Sequence, residues 1–112
     1  MTLSAPSKYA FLNNYSSDTL SNFGIKLVNK SNNGMVININ EAVNTVAENE
    51  SQRFTIRIEI YKNDHRYRQV TLRQTITIDK GDTQEIDANI RRLVRRGTIA
   101  LMSRINLDDY FN

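Results

Sequence analysis

Two stretches in the middle of the chain alternate apolar and polar residues with period two and in the same phase. In residues 53–61, Phe54, Ile56, Ile58 and Ile60 share one face, while Arg53, Thr55, Arg57, Glu59 and Tyr61 share the other. Residues 67–78 repeat the pattern. Val70, Leu72, Ile76 and Ile78 fall on the even face, interrupted by Gln74, and Tyr67, Gln69, Thr71, Arg73, Thr75 and Thr77 fall on the odd face. Strand side chains point alternately to opposite sides, so the pattern predicts a sheet with one apolar face and one face of Arg, Thr, Gln and Tyr.

The flanking segments extend that sheet. Residues 24–28 read as a strand, Asn33-Gly34 as a hairpin turn that favours positive φ, and residues 35–40 as the next strand. That strand places Met35, Ile37 and Ile39 on one side and Val36, Asn38 and Asn40 on the other, with a bulge expected before a continuation through Val43 to Val46. Polar residues 47–52 and the tight link 63–66 join consecutive strands. Links this short predict an antiparallel meander over residues 23–78, because parallel neighbours need long crossovers. Residues 1–22, rich in Ser, Asn, Thr and Tyr, read as an irregular segment or hairpin with a short strand at 9–12.

Period two then gives way to period 3.6. Ile86, Ile90, Leu93 and Val94 lie at i, i+4, i+7 and i+8, one apolar stripe. Asp82 or Thr83 is placed to cap the helix, with Glu85 three residues past Asp82. Arg91, Arg92, Arg95 and Arg96 crowd the last turns and Gly97 is placed to stop the helix, before a second helical segment at about 99–103. The fold class is therefore α+β: an antiparallel sheet meander followed by two C-terminal α-helices across residues 82–112, all within one domain, 1–112.

Charge sharpens the interest in the polar sheet face. The net charge is only +3, yet ten of the 15 basic residues are Arg, and all ten lie at or beyond residue 53. Arg presents a planar fork of donors that suits phosphate, so this asymmetry suggests a polyanion partner. A solvated helix face accounts equally well for part of it, and for the arginine pairs of the helix in particular. On the sheet, Arg53, Arg57 and Arg73 interleave with hydroxyls and the rings of Tyr61 and Tyr67, the combination that binds phosphates and stacks unpaired bases. An ordinary water-facing sheet of high β-propensity is the competing reading.

Other chemistry is thinly represented. With no Cys there is no disulfide or thiolate site, and the single His65 lies in a turn beside Asp64. No metal-ligand spacing, Gly-rich phosphate loop, cofactor motif or catalytic constellation is visible. No apolar run is long enough to span a membrane and the first residues lack the pattern of a secretion signal. The expectation is a soluble, non-enzymatic protein of a reducing cytoplasm that needs no small-molecule substrate. Its size favours homo-oligomerisation.

The segment Asn49-Glu50-Ser51-Gln52-Arg53-Phe54-Thr55-Ile56-Arg57-Ile58-Glu59-Ile60-Tyr61-Lys62 resembles a central strand of the coat proteins of single-stranded RNA bacteriophages. Leu72-Arg73-Gln74-Thr75-Ile76-Thr77-Ile78, with the helix ending Leu93-Val94-Arg95-Arg96-Gly97, is similar to that family's last strand and first helix. The resemblance implies a homodimer in which the helices pack across the sheet of the partner, and dimers that assemble into an icosahedral capsid. It also implies that the bare sheet face binds the RNA genome, including an operator stem-loop, for translational repression and packaging in the virion. By position the RNA-binding residues would be Arg53, Thr55, Arg57, Glu59, Tyr67, Gln69, Thr71 and Arg73, with Asn38 and Asn40 on the neighbouring strand. The alternative is a basic homodimeric nucleic-acid-binding regulator, nonviral or phage-encoded.

Overall fold

The two period-two stretches form the central hairpin of the protein, which is described here by a computed structural model covering residues 1–46, 49–78 and 83–111. Three long strands, β2 (Gly34–Val46), β3 (Asn49–Lys62) and β4 (His65–Ile78), run antiparallel in sequence order. β2 and β3 stay in one register from Gly34↔Tyr61 to Val46↔Asn49, so the bulge expected within β2 is absent. Lys62 pairs with His65, leaving Asn63 and Asp64 as a two-residue loop with φ of 51° and 64°. Positive φ at both central positions is the type I′ geometry, whose twist matches that of the flanking strands. The loop is tied down from outside the hairpin. The Asn63 N–H donates to Asn33 Oδ1 (3.2 Å) and the Asp64 N–H donates to the Asn32 carbonyl (3.0 Å).

The N-terminal third departs from its expected course. β1 (Thr2–Ser4) lies beside β2 and parallel to it, with Thr2↔Gly34 and Ser4↔Val36, so the sheet is mixed, in the order β1-β2-β3-β4. Parallel neighbours require a crossover. A 3₁₀ turn (Ser7–Tyr9) and helix α1 (Leu12–Ser21) supply it, in place of the short strand expected at 9–12 and the irregular segment after it. α1 buries Leu12, Ser16, Thr19 and Leu20, a helical stripe that is half polar and therefore illegible as an apolar period. After α1 the Ile25 N–H reaches the Leu20 carbonyl (3.1 Å) and the Gly24 N–H reaches that of Ser21 (3.0 Å). This is the paired bonding of a Schellman ending, and Gly24 takes the left-handed position with φ +75°. Residues 25–28 do not form the expected strand; the Val28 N–H instead bonds the Met1 carbonyl (2.9 Å). Asn33-Gly34 is likewise not a hairpin turn but the entry to β2. A Cβ at Gly34 would stand 2.6 Å from Thr2 Oγ1, so this glycine lets β1 approach.

Helix α2 (Thr83–Arg104) is continuous through Gly97, where a stop was expected. The reason is close approach. A Cβ on Gly97 would fall 2.6 Å from Leu72 Cδ1 and 2.7 Å from Ile58 Cδ1, so the glycine is where the helix rests on β3 and β4. Ile90, Leu93, Val94, Leu101 and Met102 of the helical stripe, with Ile105 just past its end, are buried with Phe54, Ile56, Ile58 and Ile60 of the sheet. Thr98 fits into this interior because its hydroxyl donates to the Val94 carbonyl (2.8 Å). The apolar face is thus covered from within the chain, and the helices do not need the sheet of a partner to bury it. Arg91 stacks over the Phe11 ring at 4.5 Å, while Arg95 and Arg96 are exposed. The cap expected at Asp82 or from the Thr83 side chain lies outside the described positions.

α3 (Leu107–Phe111) closes the turn end of the hairpin. Tyr110 is fully buried, its ring 5.5 Å from that of Tyr67, and its hydroxyl donates to the Tyr61 carbonyl. Lys62 Nζ donates to the Asp109 carbonyl. Burial pushes the Tyr110 phenol up to about 12.

Two predictions follow from this packing. Gly97→Leu should destabilise the protein by about 1–3 kcal/mol, because Ile58 and Leu72 must leave their positions. Gly97→Ala should stay within about 1 kcal/mol of wild type, since gained helix propensity offsets the displacement of two methyl ends. Urea midpoints of the two variants check this. For Tyr110 the unfolded phenol ionises near its ordinary pKa of 10 whereas the folded one holds its proton to about 12. Stability should accordingly fall as pH rises from about 10 to 12. Tyr110→Phe should flatten that part of the decline in urea titrations at stepped pH, while costing about 1 kcal/mol at neutral pH for the lost hydrogen bond.

Candidate functional site

The sheet face opposite α2 carries nearly all the residues singled out from the sequence. Strand pairing sets them side by side: Asn38↔Arg57↔Thr71, Asn40↔Thr55↔Arg73, and Glu59↔Gln69. Asn40, Arg53, Arg57, Gln69, Thr71 and Arg73 are exposed, Asn38 and Thr55 are half-buried, and Glu59 is buried. No other described element lies over this face.

Glu59 organises its middle. The carboxylate accepts from Asn38 Nδ2 (2.9 Å) and from the Tyr61 hydroxyl (3.1 Å). It also pairs with Arg57 Nε at 3.2 Å and, more loosely, with Arg66 Nη1 at 3.7 Å. The carboxylate is 7% exposed while both arginines remain more than half exposed. A buried carboxylate is tolerable because donors meet both its oxygens, whereas the two ion pairs, open to water on the cationic side, each add little. The hydrogen bond to Glu59 holds the Tyr61 phenol above its ordinary pKa, since it stabilises the protonated form.

A bulge decides which residues join this face. Ile60 pairs with Arg68 and Tyr61 with Arg66, a register shift that leaves Tyr67 without an opposite residue. One extra residue reverses the facing of side chains beyond it. Tyr67 therefore packs against the core and Tyr110, not on the polar face where alternation had placed it. Arg66 replaces it there, within reach of Glu59 and donating to Gln69 Oε1 at 3.4 Å. Alternation counted from Val70 could not reveal the exchange, and a bulge has no signal in this sequence.

Charge on the face is uneven as a result. Around Glu59 the arginines are compensated. Farther along, Arg53 opposite Thr75 and Arg73 opposite Thr55 are diagonal neighbours, with no carboxylate partner among the described residues. Like charges this close are unfavourable unless solvent or an anionic group offsets them. His65 is exposed at the edge of the type I′ turn, and among the described residues no three His, Cys, Asp or Glu side chains gather as metal ligands.

No family model matches the chain, and no curated protein matches it in sequence. Among solved structures it is similar to a minor lipoprotein from Acinetobacter baumannii, with 16% identity, 92% of this chain and 84% of that chain covered, and a TM-score of 0.47. It is also similar to the rare lipoprotein B from Shewanella oneidensis, with 14% identity, 92% and 87% covered, and a TM-score of 0.41. At these similarities neither match carries a functional assignment.

The coat-protein expectation is overturned. Its helices were to cross the sheet of a partner, but α2 covers the sheet of its own chain, and a parallel β1 with a helical crossover stands where the sequence read as an irregular segment or hairpin. The capsid, the packaged RNA with its stem-loop and the virion location rested on that architecture alone, and they lose their basis with it. The nucleic-acid-binding regulator is not supported either: of the three sheet arginines that suggested a phosphate face, Arg57 is already engaged by Glu59.

Glu59→Ala should destabilise the fold by about 1–3 kcal/mol, because Asn38 and Tyr61 lose a buried acceptor. Glu59→Gln, which keeps one acceptor oxygen, should lose roughly 1 kcal/mol, and Arg73→Ala should be within about 0.5 kcal/mol of wild type. Chemical denaturation of the three variants gives the order; equal losses at Glu59→Ala and Arg73→Ala would contradict the network's role.

Proposed function

We propose that this chain is a non-catalytic binding module whose open sheet face docks a partner protein. One observation carries the reading: a polar face held in place from below by Glu59 and left uncovered by every described element. Its long strands make it extended, in a molecule 54 Å long and 21 Å across. Side chains already engaged around Glu59, namely Asn38, Arg57, Tyr61 and Arg66, lose little freedom on docking, and Arg and Tyr are enriched at interface hot spots. The exposed cations Arg53 and Arg73 would favour a partner bearing carboxylates and speed its encounter.

Photo-crosslinking in the native host tests the reading. A benzophenone side chain at Thr55 or Thr71 should give one discrete adduct of reproducible mass, identified by mass spectrometry, while the same probe at Arg95 or Ser103 on the outer side of α2 should give none. Adducts of equal yield from both sides would remove the sheet face as the docking surface.

A further inference from the structure

β4 ends the sheet. Its partner on one side is β3, and among the described residues no strand pairs with its other edge over the 14 residues His65–Ile78. A long strand with free N–H and C=O groups is a template for a further strand, and proteins that must avoid this shorten, bulge or cover the edge. At the opposite side of the sheet the edge is interrupted, since β1 pairs with residues 34–36 of β2 and Lys8 of the 3₁₀ turn is bound to Glu41 at 2.9 Å. The β4 edge has only the bulge near its start, and His65, Arg66, Arg68, Gln69, Thr71, Arg73 and Thr75 are exposed along it.

The composition of the edge selects its occupant. Residues 65–78 contain Arg66, Arg68 and Arg73 and no Asp or Glu, so a second copy laid against β4 would bring two sets of cations together. An incoming strand with carboxylates meets the opposite situation. At the turn end the helix side of β4 carries aromatic surface: Tyr67 packs on Tyr110, Phe111 packs edge-on against Tyr110 at 4.8 Å and is 45% exposed, and Arg68 lies over the Tyr67 ring at 4.7 Å. An added strand with period two would present one side to the arginines and hydroxyls and the other to these rings.

From this we infer that β4 accepts an extended segment of another protein, alternating acidic and apolar residues, as a fifth strand of the sheet. Main-chain hydrogen bonds along β4 supply affinity; the arginines and the Tyr67–Phe111 aromatic surface select the sequence. This rests on the docking reading above and assigns it a mode and a partner chemistry.

The test uses the full chain labelled with ¹⁵N and a synthetic ten-residue peptide of alternating Glu and Val. Three controls accompany it: the same peptide with Lys for Glu, one N-methylated at alternate residues, and the protein variant Arg73→Glu. The acidic peptide should shift amides of residues 65–78 and slow their hydrogen exchange at alternate positions. The Lys and N-methylated peptides should bind at least tenfold more weakly, and Arg73→Glu should weaken the acidic peptide by a similar factor. No response at β4, or equal binding of the Glu and Lys peptides, would overturn the proposal. Concentration-dependent dimerisation with β4 protected would also overturn it, by giving the edge to a second copy. If crosslinks from Thr55 and Thr71 persist while β4 is silent, the edge is refuted and the docking face stands; if the crosslinks fail as well, both fall.

Discussion

The contact between Gly97 and the methyl ends of Ile58 and Leu72 sets the distance at which α2 lies on the sheet, and the rest of the architecture is arranged around that distance. A side chain much larger than a methyl there would lift the helix away from β3 and β4, and the buried row of Phe54, Ile56, Ile58 and Ile60 would lose its cover. Helix and sheet interiors pack to crystal-like density, so such a separation could not be taken up elsewhere in a protein of this size. The same contact makes the chain self-sufficient. Once α2 covers its own sheet, the apolar face asks nothing of a second subunit.

That closure leaves the other sheet face free, and its order comes from a different source. Glu59 sits in the plane of the strands with Asn38, Tyr61, Arg57 and Arg66 converging on it. Of the arginines that suggested a phosphate-binding surface, Arg57 is therefore partly neutralised by a residue of its own strand. What remains is a polar surface with uncompensated positive charge only toward Arg53 and Arg73, joined to an unpaired strand edge of the same sign. Face and edge are continuous through β4, so one partner could engage both.

Legibility from sequence followed the local physics of each segment. The three long strands were readable because alternation of large aliphatic and polar residues is a local property, and the type I′ link was readable as tight although Asn63-Asp64 lacks the usual glycine. α1 was missed because two of its four buried residues, Ser16 and Thr19, are polar. β1 was missed because a three-residue strand has no period. Of the candidate site, the positions on β2 and β3 and the C-terminal part of β4 were placed on the face that the alternation gave them. Tyr67 was not, since the bulge between the Ile60–Arg68 and Tyr61–Arg66 pairs turned it to the helix side and put Arg66 in its place.

The sequence by itself determined an α+β chain with a two-faced sheet, an amphipathic helix after it, and an arginine-rich second half, because periodicity and composition act over a few residues. Only the tertiary structure decided that β1 enters parallel, that Gly97 continues a helix it was expected to end, and that Glu59 ties the central arginines. Each of these depends on residues far apart in the chain: Thr2 with Gly34, Gly97 with Ile58 and Leu72, Asn38 with Glu59. The physical reason is the same in all three. A glycine, a short strand or a carboxylate has little meaning in its own neighbourhood and acquires one from what long-range packing places against it.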